Sequence, residues 1–329
     1  MATFAPVVLV TGCAGFIGSH TVDGLIANGS RVLGIDNLST GTRANLGQWD
    51  GDPRFSFVEA DVTRDLQRVL DDAAKRVGPI ERIVHLAAQT MVPLSVTDPV
   101  HDVRVNIEGT VALLEYARRH KVRKVVFASS SAVYDDDAPV PVAEESSVRP
   151  SSPYGIDKYA GELFLDYYAR VHGVTYTALR FMNVYGPRQD PESDYSGVIS
   201  IFIDRALAGR PITIYGDGEQ TRDFVHARDI ARALVSACTN GVADQAVINL
   251  GAGEETSINR LARIILDLAE SKSAISYAPV RAGDIRRSVT KLDRARSLLG
   301  FTPTIGLREG LAETLAWVRK ERATSEVVG

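Results

Sequence analysis

Cysteine is scarce in this sequence, and its scarcity limits what the protein can be. Cys13 and Cys238 are the only cysteines among 329 residues, and they lie far apart. A disulfide framework or a cysteine-rich zinc site needs more thiols, and a chain without disulfides fits a reducing compartment. The six histidines form no HExxH motif and no closely spaced cluster. We therefore expect a cytoplasmic protein without a metal centre.

Long apolar runs and excess positive charge are also missing. No run approaches the ~20 apolar residues that a membrane-spanning helix needs, and the first residues do not resemble a signal peptide. The net charge of −4 argues against a general nucleic-acid-binding protein. One basic run, at residues 118–124, falls at the end of a predicted helix, where cations are favourable without any partner. We expect neither a membrane nor a nucleic-acid partner.

Short β-branched segments alternate with longer amphipathic ones in the first 180 residues. The predicted strands are Val7–Thr11, Arg31–Asp36, Phe55–Glu59, Arg82–Ala87, Lys124–Ser129 and Tyr176–Phe181. The predicted helices between them are Gly18–Asn28, Asp65–Val77, Val105–His120 and Tyr154–His172. This alternation predicts an α/β fold, with a doubly wound parallel sheet covered by helices on both faces.

The pattern becomes less regular after about residue 183. Residues 185–197 are rich in Gly, Pro and Asp and predict a loop. Helices are then expected at Val198–Leu207, Ala227–Cys238 and Ile258–Ala269, with a strand at Ile212–Tyr215. We predict a first domain of residues 1–182 and a smaller, mixed α/β domain of residues 183–329. The boundary is soft, and segments around residues 224–250 are candidates for returning to the first domain.

A glycine-rich turn joins the first strand to the first helix. It contains Gly12, Gly15 and Gly18, which permit a tight turn and close approach of a ligand to the backbone. A helix N-terminus at this place suits a pyrophosphate. Asp36 ends the second strand, where a carboxylate accepts hydrogen bonds from an adenosine ribose and repels a 2′-phosphate. A ligand-free turn is the alternative, but the combined pattern favours NAD over NADP.

A tyrosine and a lysine share one face of a predicted helix. Tyr154 and Lys158 are four residues apart, and an ammonium beside a phenol favours the phenolate, which can act as a base. Ser129, Ser130 and Ser131 follow a predicted buried strand and offer a hydroxyl to hold a substrate oxygen. A lone Tyr–Lys pair is more often a solvated helix face, and here the dinucleotide pattern and the serines strengthen it.

With these motifs the sequence resembles the extended short-chain dehydrogenase/reductase family, which has a Rossmann-type sheet and a smaller substrate domain. The resemblance covers nearly the whole chain, and the subgroup it resembles most is the nucleotide-sugar 4-epimerases, which act on UDP-glucose or UDP-N-acetylglucosamine. The further segments that carry the resemblance are residues 85–89, 106–110, 180–188, 215–218, 222–226 and 281–285.

The resemblance implies a role for individual positions. It implies NAD contacts for Gly12, Gly15, Phe16, Ile17, Gly18, Asp36, Asn37, Ser39, Asp61, Val62, Leu86, Ala87, Ala88, Tyr154 and Lys158. It implies that the sugar nucleotide is held by Ser130, Asn183, Val198, Arg222 and Arg281, with Tyr215 beside the uracil, Asp284 near its ribose and Asn106 supporting the site from behind. An arginine fork suits phosphate oxygens.

The catalytic hydroxyl and the reaction follow from the same resemblance. In the family the catalytic Ser or Thr lies four residues before a Tyr, so Tyr134 selects Ser130, with Ser131 as the alternative. Dehydratases carry an Asp-Glu pair directly after that position, whereas this chain has Ser131 and Ala132. We therefore expect inversion at C4 of a UDP-hexose through a 4-keto sugar. A 4,6-dehydratase, a reductase or a non-catalytic NAD-sensing protein are the alternatives.

Two further positions bear on the sugar, and two helices bear on assembly. Asp190 stands where family members that act on UDP-glucuronate tend to place an Arg, which disfavours glucuronate. Ser288 stands at the family's gatekeeper of the C2 substituent and is small enough for an N-acetyl group. The resemblance also implies a homodimer that pairs Val105–His120 and Tyr154–His172 across a two-fold axis.

Overall fold

The computed structural model describes residues 6–190, 197–280 and 285–328. No helix in these ranges is long and apolar enough to cross a membrane. The same ranges contain no group of three or more His, Cys, Asp or Glu residues that could hold a metal ion.

The strands and helices follow the predicted alternation along the chain. The strands are β1 (Val7–Thr11), β2 (Arg31–Asp36), β3 (Phe55–Glu59), β4 (Ile80–His85), β5 (Lys124–Ser130), β6 (Tyr176–Phe181), β7 (Asn183–Tyr185), β8 (Ile212–Tyr215), β9 (Thr221–Arg222), β10 (Phe224–His226), β11 (Ala246–Leu250), β12 (Thr256–Ser257) and β13 (Ile275–Ala278). The α-helices are α1 (Phe16–Ala27), α2 (Leu66–Val77), α3 (Val92–Thr97), α4 (Pro99–Val103), α5 (Gly109–His120), α6 (Pro153–His172), α7 (Val198–Leu207), α8 (Ala227–Thr239), α9 (Ile258–Ala269), α10 (Asp293–Leu299) and α11 (Leu307–Val328).

One predicted helix differs from the structure in its first part. The helix predicted over Val105–His120 is continuous, but residues 104–108 form a π-helical turn and the regular α5 begins at Gly109. The π turn carries Asn106, and π turns inside helices are frequent at functional sites.

A seven-stranded parallel sheet forms the centre of the molecule. Its strand order is β11-β6-β5-β4-β1-β2-β3, and every neighbouring pair is parallel. The predicted Rossmann-type α/β class is confirmed. The strand order reverses between β1 and β4. The connections that follow these two strands pass to opposite faces of the sheet, so a crevice opens at the carboxyl ends of the strands. Ligands of such sheets bind in that crevice.

The sheet is buried on both faces, as its apolar strands require. Alternate residues of β1 face opposite sides: Val8 and Val10 pack with α1 and α8, while Val7 and Leu9 pack with α2, α5 and α6. A third apolar cluster lies in the C-terminal part, where α7, α9 and α11 enclose β8. β11, at residues 246–250, adds the seventh strand to the main sheet. The division at residue 182 stays a prediction.

Candidate active site

The glycine-rich turn has the geometry that close backbone approach needs. Gly12 has φ +69°, and a Cβ at this position would lie 2.7 Å from the backbone N of Ala87. A Cβ on Gly18 would lie 1.9 Å from the Gly12 carbonyl oxygen. A larger residue at Gly12 would push the turn away from the segment after β4, and a larger residue at Gly18 would push α1 away from the turn. Helix α1 therefore begins directly at the carboxyl end of β1, with its free N–H groups at the crevice.

Helix α1 begins without any group that neutralises its N-terminus. Gly15 is the N-cap and offers no side-chain hydrogen bond, and the first turn contains no acidic residue. The N–H groups of the first turn, which includes Phe16, Ile17 and Gly18, point out of the helix end with the positive end of its dipole. Such an end fits a pyrophosphate.

Asp36 closes the second strand against the glycine-rich turn. Its carboxylate accepts hydrogen bonds from the Ala14 N–H at 2.9 Å and the Leu38 N–H at 2.8 Å, one on each oxygen. Each oxygen keeps a second lone pair for a hydroxyl. The side chain is thus held rigidly where β2 ends, beside the N-terminus of α1. This arrangement fits the ribose of an adenosine.

Asn37, Ser39, Asp61 and Val62 form the edge of the crevice beyond Asp36. The Asn37 amide donates to Asp61 at 3.1 Å, and the Ser39 N–H donates to the Asn37 carbonyl oxygen at 3.1 Å. Partial burial raises the pKa of Asp61, but hydrogen bonds from Thr63 and Asn37 outweigh it and hold the pKa below its usual value. Asp61 is therefore an ionised acceptor at neutral pH. Val62 is buried against α5 at Gly109.

A chain of hydrogen bonds ties β1 to β4 at the strand-order reversal. The Thr11 hydroxyl lies 2.7 Å from His85 Nδ1 and accepts the N–H groups of Leu86 and Ala87, each at 3.2 Å. His85 Nε2 in turn lies 3.0 Å from the Thr110 hydroxyl. Leu86, Ala87 and Ala88 are each partly exposed. This stretch gives the crevice a fixed, mostly apolar wall.

Two contacts of α6 bring the tyrosine to the serine. A Cβ on Gly155 would lie 2.3 Å from the carbonyl oxygen of Ala132, so this glycine lets the helix end rest on the loop after β5. Ser152 caps the helix by accepting the Gly155 N–H. Tyr154 then lies beside Ser130, whose hydroxyl lowers the pKa of the phenol and itself accepts the Ala132 N–H at 3.2 Å. Ser130 is thus the candidate serine that influences the tyrosine, and its catalytic role stays a prediction.

Lys158 lies one turn further along α6 and is almost completely buried. Its Nζ atom is 5.8 Å from the centre of the Tyr154 ring and 5.1 Å from that of Phe127. Burial lowers the pKa of Lys158 to about 8, against the opposing charges of Asp102 and Asp157. Burial and the charge of Asp102 raise the pKa of Tyr154, and the Ser130 hydroxyl offsets this only in part. The lysine stays mostly cationic at neutral pH and can stabilise a phenolate beside it.

Sequence reasoning assigned no role to Glu162 and Arg180, which lie beneath the serine loop. Glu162 accepts two hydrogen bonds from Arg180, at 2.8 and 2.6 Å, and one from Ser129. The Arg180 guanidinium also stacks 4.8 Å from the Tyr134 ring centre. This buried ion pair fixes the strand end that carries Ser130. The helical spacing Tyr154, Lys158, Glu162 places all three on one face and could have identified the glutamate.

Asp102, Asp157 and Gln89 were missed as well. Asp102 accepts hydrogen bonds from the Gln89 amide at 2.6 Å and the Asn106 amide at 3.1 Å. Asn106 also donates to the Gln89 carbonyl and accepts its N–H, so the π turn is tied to the end of β4. The side chain of Asn106 thus fixes the π turn, which packs against α6, to the end of β4. The only sequence signal for the two acids was their position: Asp157 directly precedes Lys158, and Asp102 lies four residues before Asn106.

The residues implied for the sugar nucleotide gather beside the carboxyl end of β6. Asn183 donates its backbone N–H to the Asp223 carbonyl at 3.0 Å, directly after Arg222. The Arg222 guanidinium donates to the carbonyl oxygens of Thr221 and Ile285, at 2.8 and 2.6 Å. Ser130 pairs with Phe181 across β5 and β6, so this group begins next to the catalytic serine.

The remaining implied residues lie in the C-terminal part of the chain. Tyr215 ends β8 with 36% of its surface exposed, and its carbonyl accepts the Gln220 amide at 2.7 Å. Val198 starts α7, and Ser288 is partly buried just before Val289. Arg281 and Asp284 lie outside the described residues. The roles implied for these residues stay predictions.

A dinucleotide-type sheet with a serine, a tyrosine and a lysine at its carboxyl edge defines a short-chain dehydrogenase/reductase. The chain belongs to the NAD dependent epimerase/dehydratase family, whose model matches residues 8–251. The resemblance found in the sequence is confirmed.

The chain is similar to named 4-epimerases over nearly its whole length. UDP-glucose 4-epimerase of Mycolicibacterium smegmatis is 42% identical over 315 residues, which are 95% of this chain and 98% of that protein. The structure of UDP-glucose 4-epimerase with UDP-glucose from Thermotoga maritima matches with a TM-score of 0.89 and 39% identity, covering 96% of this chain and 99% of that one. UDP-N-acetylglucosamine 4-epimerase from Methanobrevibacter ruminantium, in complex with UDP-N-acetylmuramic acid, matches with a TM-score of 0.90, 37% identity and the same coverage.

Proposed function

We propose that this protein is a NAD-dependent 4-epimerase of UDP-hexoses. The observation that carries the proposal is the placement of the Tyr154 phenol beside the Ser130 hydroxyl, with its ring centre 5.8 Å from Nζ of the buried Lys158. The named relatives also support this activity, since they are 4-epimerases of UDP-glucose or UDP-N-acetylglucosamine. We infer the pair UDP-glucose and UDP-galactose as substrates, with the N-acetylated pair also accepted.

The residues at the crevice fit NAD. The uncapped N-terminus of α1 and the space left by Gly12 and Gly18 suit a pyrophosphate, and Asp36 suits an adenosine ribose without a 2′-phosphate. The partly exposed Leu86, Ala87 and Ala88 supply an apolar wall beside them. Held by these residues, NAD would supply the hydride acceptor and donor for oxidation and reduction at C4 of the sugar.

The chain's own residues supply proton transfer and positioning. Tyr154 removes the proton from the sugar 4-hydroxyl and later returns it, while Ser130 holds the same oxygen. The Lys158 ammonium lowers the cost of the phenolate that this requires. Arg222 and Asn183, with Arg281, hold the nucleotide diphosphate, so the 4-keto sugar can rotate without leaving. Tyr215, Val198 and Asp284 complete the nucleotide's surroundings.

The catalytic loop favours epimerisation over dehydration. Elimination of water across C5 and C6 requires a carboxylic acid to donate a proton, and family dehydratases place an Asp-Glu pair directly after the catalytic hydroxyl. Here Ser131 and Ala132 follow Ser130 and form a short 3₁₀ turn with Val133. The chain therefore has the groups for oxidation and reduction at C4 and lacks that acid pair.

Replacing Tyr154 by Phe tests the proposal. We expect the variant to fold and to bind NAD, and to interconvert UDP-glucose and UDP-galactose ~10²–10⁴-fold more slowly, because the proton acceptor is gone. Proton NMR of the products measures the rate, and mass spectrometry distinguishes an epimer of equal mass from a dehydrated product. Tyr167→Phe removes a hydroxyl from the same helix as a control. Near-wild-type turnover by Tyr154→Phe would overturn the assignment.

We also propose that the protein is a cytoplasmic homodimer. Both cysteines are buried and free, which suits a reducing compartment. A stripe of exposed apolar side chains runs over α3, α4 and α6, and an apolar stripe of this kind on a helix pair suits a second copy. The stripe consists of Val92, Val96, Val100, Val103, Ile156, Leu163, Phe164, Tyr167 and Val171. By contrast, Leu113 and Leu114 of α5 are buried in the chain's own core.

A further inference from the structure

Two buried carboxyl groups face each other beneath the catalytic lysine. Asp102 belongs to α4 and is fully buried, and Asp157 belongs to α6 with 2% of its surface exposed. The two helices pack against each other. Asp157 lies between Tyr154 and Lys158 in sequence, so its carboxyl group enters the protein interior from the same helix end that carries the proposed base.

The buried oxygens of the two carboxyl groups lack hydrogen-bond donors unless the pair keeps a proton. Gln89 and Asn106 both donate to Oδ1 of Asp102, at 2.6 and 3.1 Å. The Oδ2 atoms of Asp102 and Asp157 are buried and have no hydrogen-bond donor among the described residues. Helices α4 and α6 pack against each other here, and the nearby Asp102 carboxyl group raises the pKa of Asp157. Ionised carboxylates only accept hydrogen bonds, so a proton held by one carboxyl group would give both buried oxygens a partner.

We propose that Asp102 and Asp157 share one proton and act together as a single buried counter-charge that positions the Lys158 ammonium beside Tyr154. With one proton the pair carries one negative charge, which matches one ammonium. This inference rests on the proposed function, because it assigns the pair a role only through Lys158 and Tyr154. Both aspartates are positioning residues and touch neither substrate nor cofactor in this scheme.

The pKa shifts agree with a shared proton. Burial and the neighbouring Asp102 raise the pKa of Asp157 to about 7. Two carboxyl groups this close cannot both ionise easily in a buried place. The other titratable groups that face the pair and the lysine are Tyr154 on α6 and His85 on β4. Burial lowers the pKa of His85 to about 3, so it is neutral at the pH of interest.

The sign of the effect on Tyr154 follows from the charges. Below the pKa of the pair one negative charge faces the lysine, and above it there are two. A second negative charge opposes the formation of a phenolate at Tyr154, and the charge of Asp102 already raises the pKa of that phenol. We therefore expect the activity to rise less steeply between pH 6 and 8 than it would with a pair of fixed charge.

Carboxyl NMR of protein labelled with ¹³C in its aspartate side chains tests the pair directly. We expect two resonances that titrate together near pH 7 in the NAD-bound enzyme. Asp157→Asn keeps a hydrogen bond to Asp102 through its amide, so one resonance should vanish and the other should no longer titrate near pH 7. Asp102→Asn gives the same test from the other side. Asp166→Asn, an exposed position on α6, should leave both titrations in place.

The pH profile of kcat/KM provides the functional readout. The limb assigned to Tyr154 should move to lower pH by about one unit in Asp157→Asn, because the second negative charge can no longer form. Far-UV circular dichroism confirms that the variant is folded. Two wild-type carboxyl groups that both titrate below about pH 5 would overturn the shared proton. The NMR experiment needs no substrate, so a confirmed titration without any epimerisation would refute the proposed function and leave the pair intact.

Discussion

At the residue scale, we expect the small side chain of Ser288 to determine which sugar substituents the enzyme accepts. The backbone is fixed on both sides of it, since Thr221 donates to the Arg286 carbonyl at 3.0 Å and Val142 donates to the Val289 carbonyl at 2.9 Å. Thr290 also donates to Asp223 at 3.2 Å. Asp223 directly follows Arg222, which we assign to the diphosphate. A residue larger than serine at position 288 cannot move aside with its backbone. We therefore propose that the size of this side chain limits the sugar substituent that can lie beside it.

The specificity prediction follows from that size. We expect the wild-type enzyme to interconvert both the UDP-glucose and the UDP-N-acetylglucosamine pairs. Ser288→Tyr should lower kcat/KM for the N-acetylated pair at least ~10-fold more than for the other, because the ring fills the space of the acetyl group. Ser276→Tyr, at an exposed position on β13, serves as the control. A wild-type enzyme that does not turn over UDP-N-acetylglucosamine would contradict the prediction.

At the scale of elements, α6 does more than any other helix to build the site. Its N-terminus rests on the serine loop through Gly155, and Gly161 lets it lie against the Phe127 ring, where a Cβ would come within 2.6 Å. These two glycines are tolerated because the helix is long and capped by Ser152. The same helix then carries Tyr154, Lys158, Asp157 and Glu162 inward. One packing arrangement thus positions every group proposed for proton transfer.

The buried ion pair of α6 leads to a stability prediction. Glu162→Gln leaves the Arg180 guanidinium buried without a charged partner, so we expect a loss of ~3–5 kcal/mol in the free energy of unfolding. Asp166→Asn breaks the exposed pair with Arg170 on the same helix and should cost less than ~1 kcal/mol. Urea denaturation followed by circular dichroism measures both. Equal losses in the two variants would show that the buried pair contributes no more than the exposed one.

At the scale of the whole molecule, the catalytic helix is also the proposed dimer helix. Its inner face holds the carboxyl pair and the lysine, while its outer face exposes Ile156, Leu163 and Val171, each with 54% of its surface accessible. A second copy on that face would cover apolar surface and press α6 onto the sheet. Assembly and catalysis would then depend on the same 20-residue element.

The homodimer can be tested by introducing one charged residue into the apolar stripe. Leu163→Glu should convert a dimer into a monomer, because an isologous interface places the new charge close to its copy and buries both. Sedimentation velocity at several protein concentrations measures the state. Val280→Glu introduces the same charge at a 69% exposed apolar position in the C-terminal part and should leave the dimer intact. A wild-type protein that sediments as a monomer throughout would refute the homodimer.

The sequence by itself was sufficient wherever the determining signal is local. The turn at Gly12, Gly15 and Gly18 needs only backbone freedom, and the predicted strands of the sheet were confirmed, β4 being two residues earlier than expected. Tyr154 and Lys158 share a helix face because of their spacing alone. Residues 191–196, within the predicted loop, lie outside the described ones. In all these cases the residues that form the sequence pattern lie within about one turn or one strand of the structure that they determine.

Only the tertiary structure brings distant groups together. Asp102 comes near Asp157 because helices α4 and α6 pack against each other, and Glu162 meets Ser129 and Arg180 because α6 packs against β5 and β6. No local periodicity encodes these contacts, since each acid looks by itself like an ordinary acid on a helix. The addition of β11 to the sheet is likewise a matter of long-range pairing. Burial in this packing gives Asp157 and Lys158 their shifted pKa values, and with them the proposed chemistry.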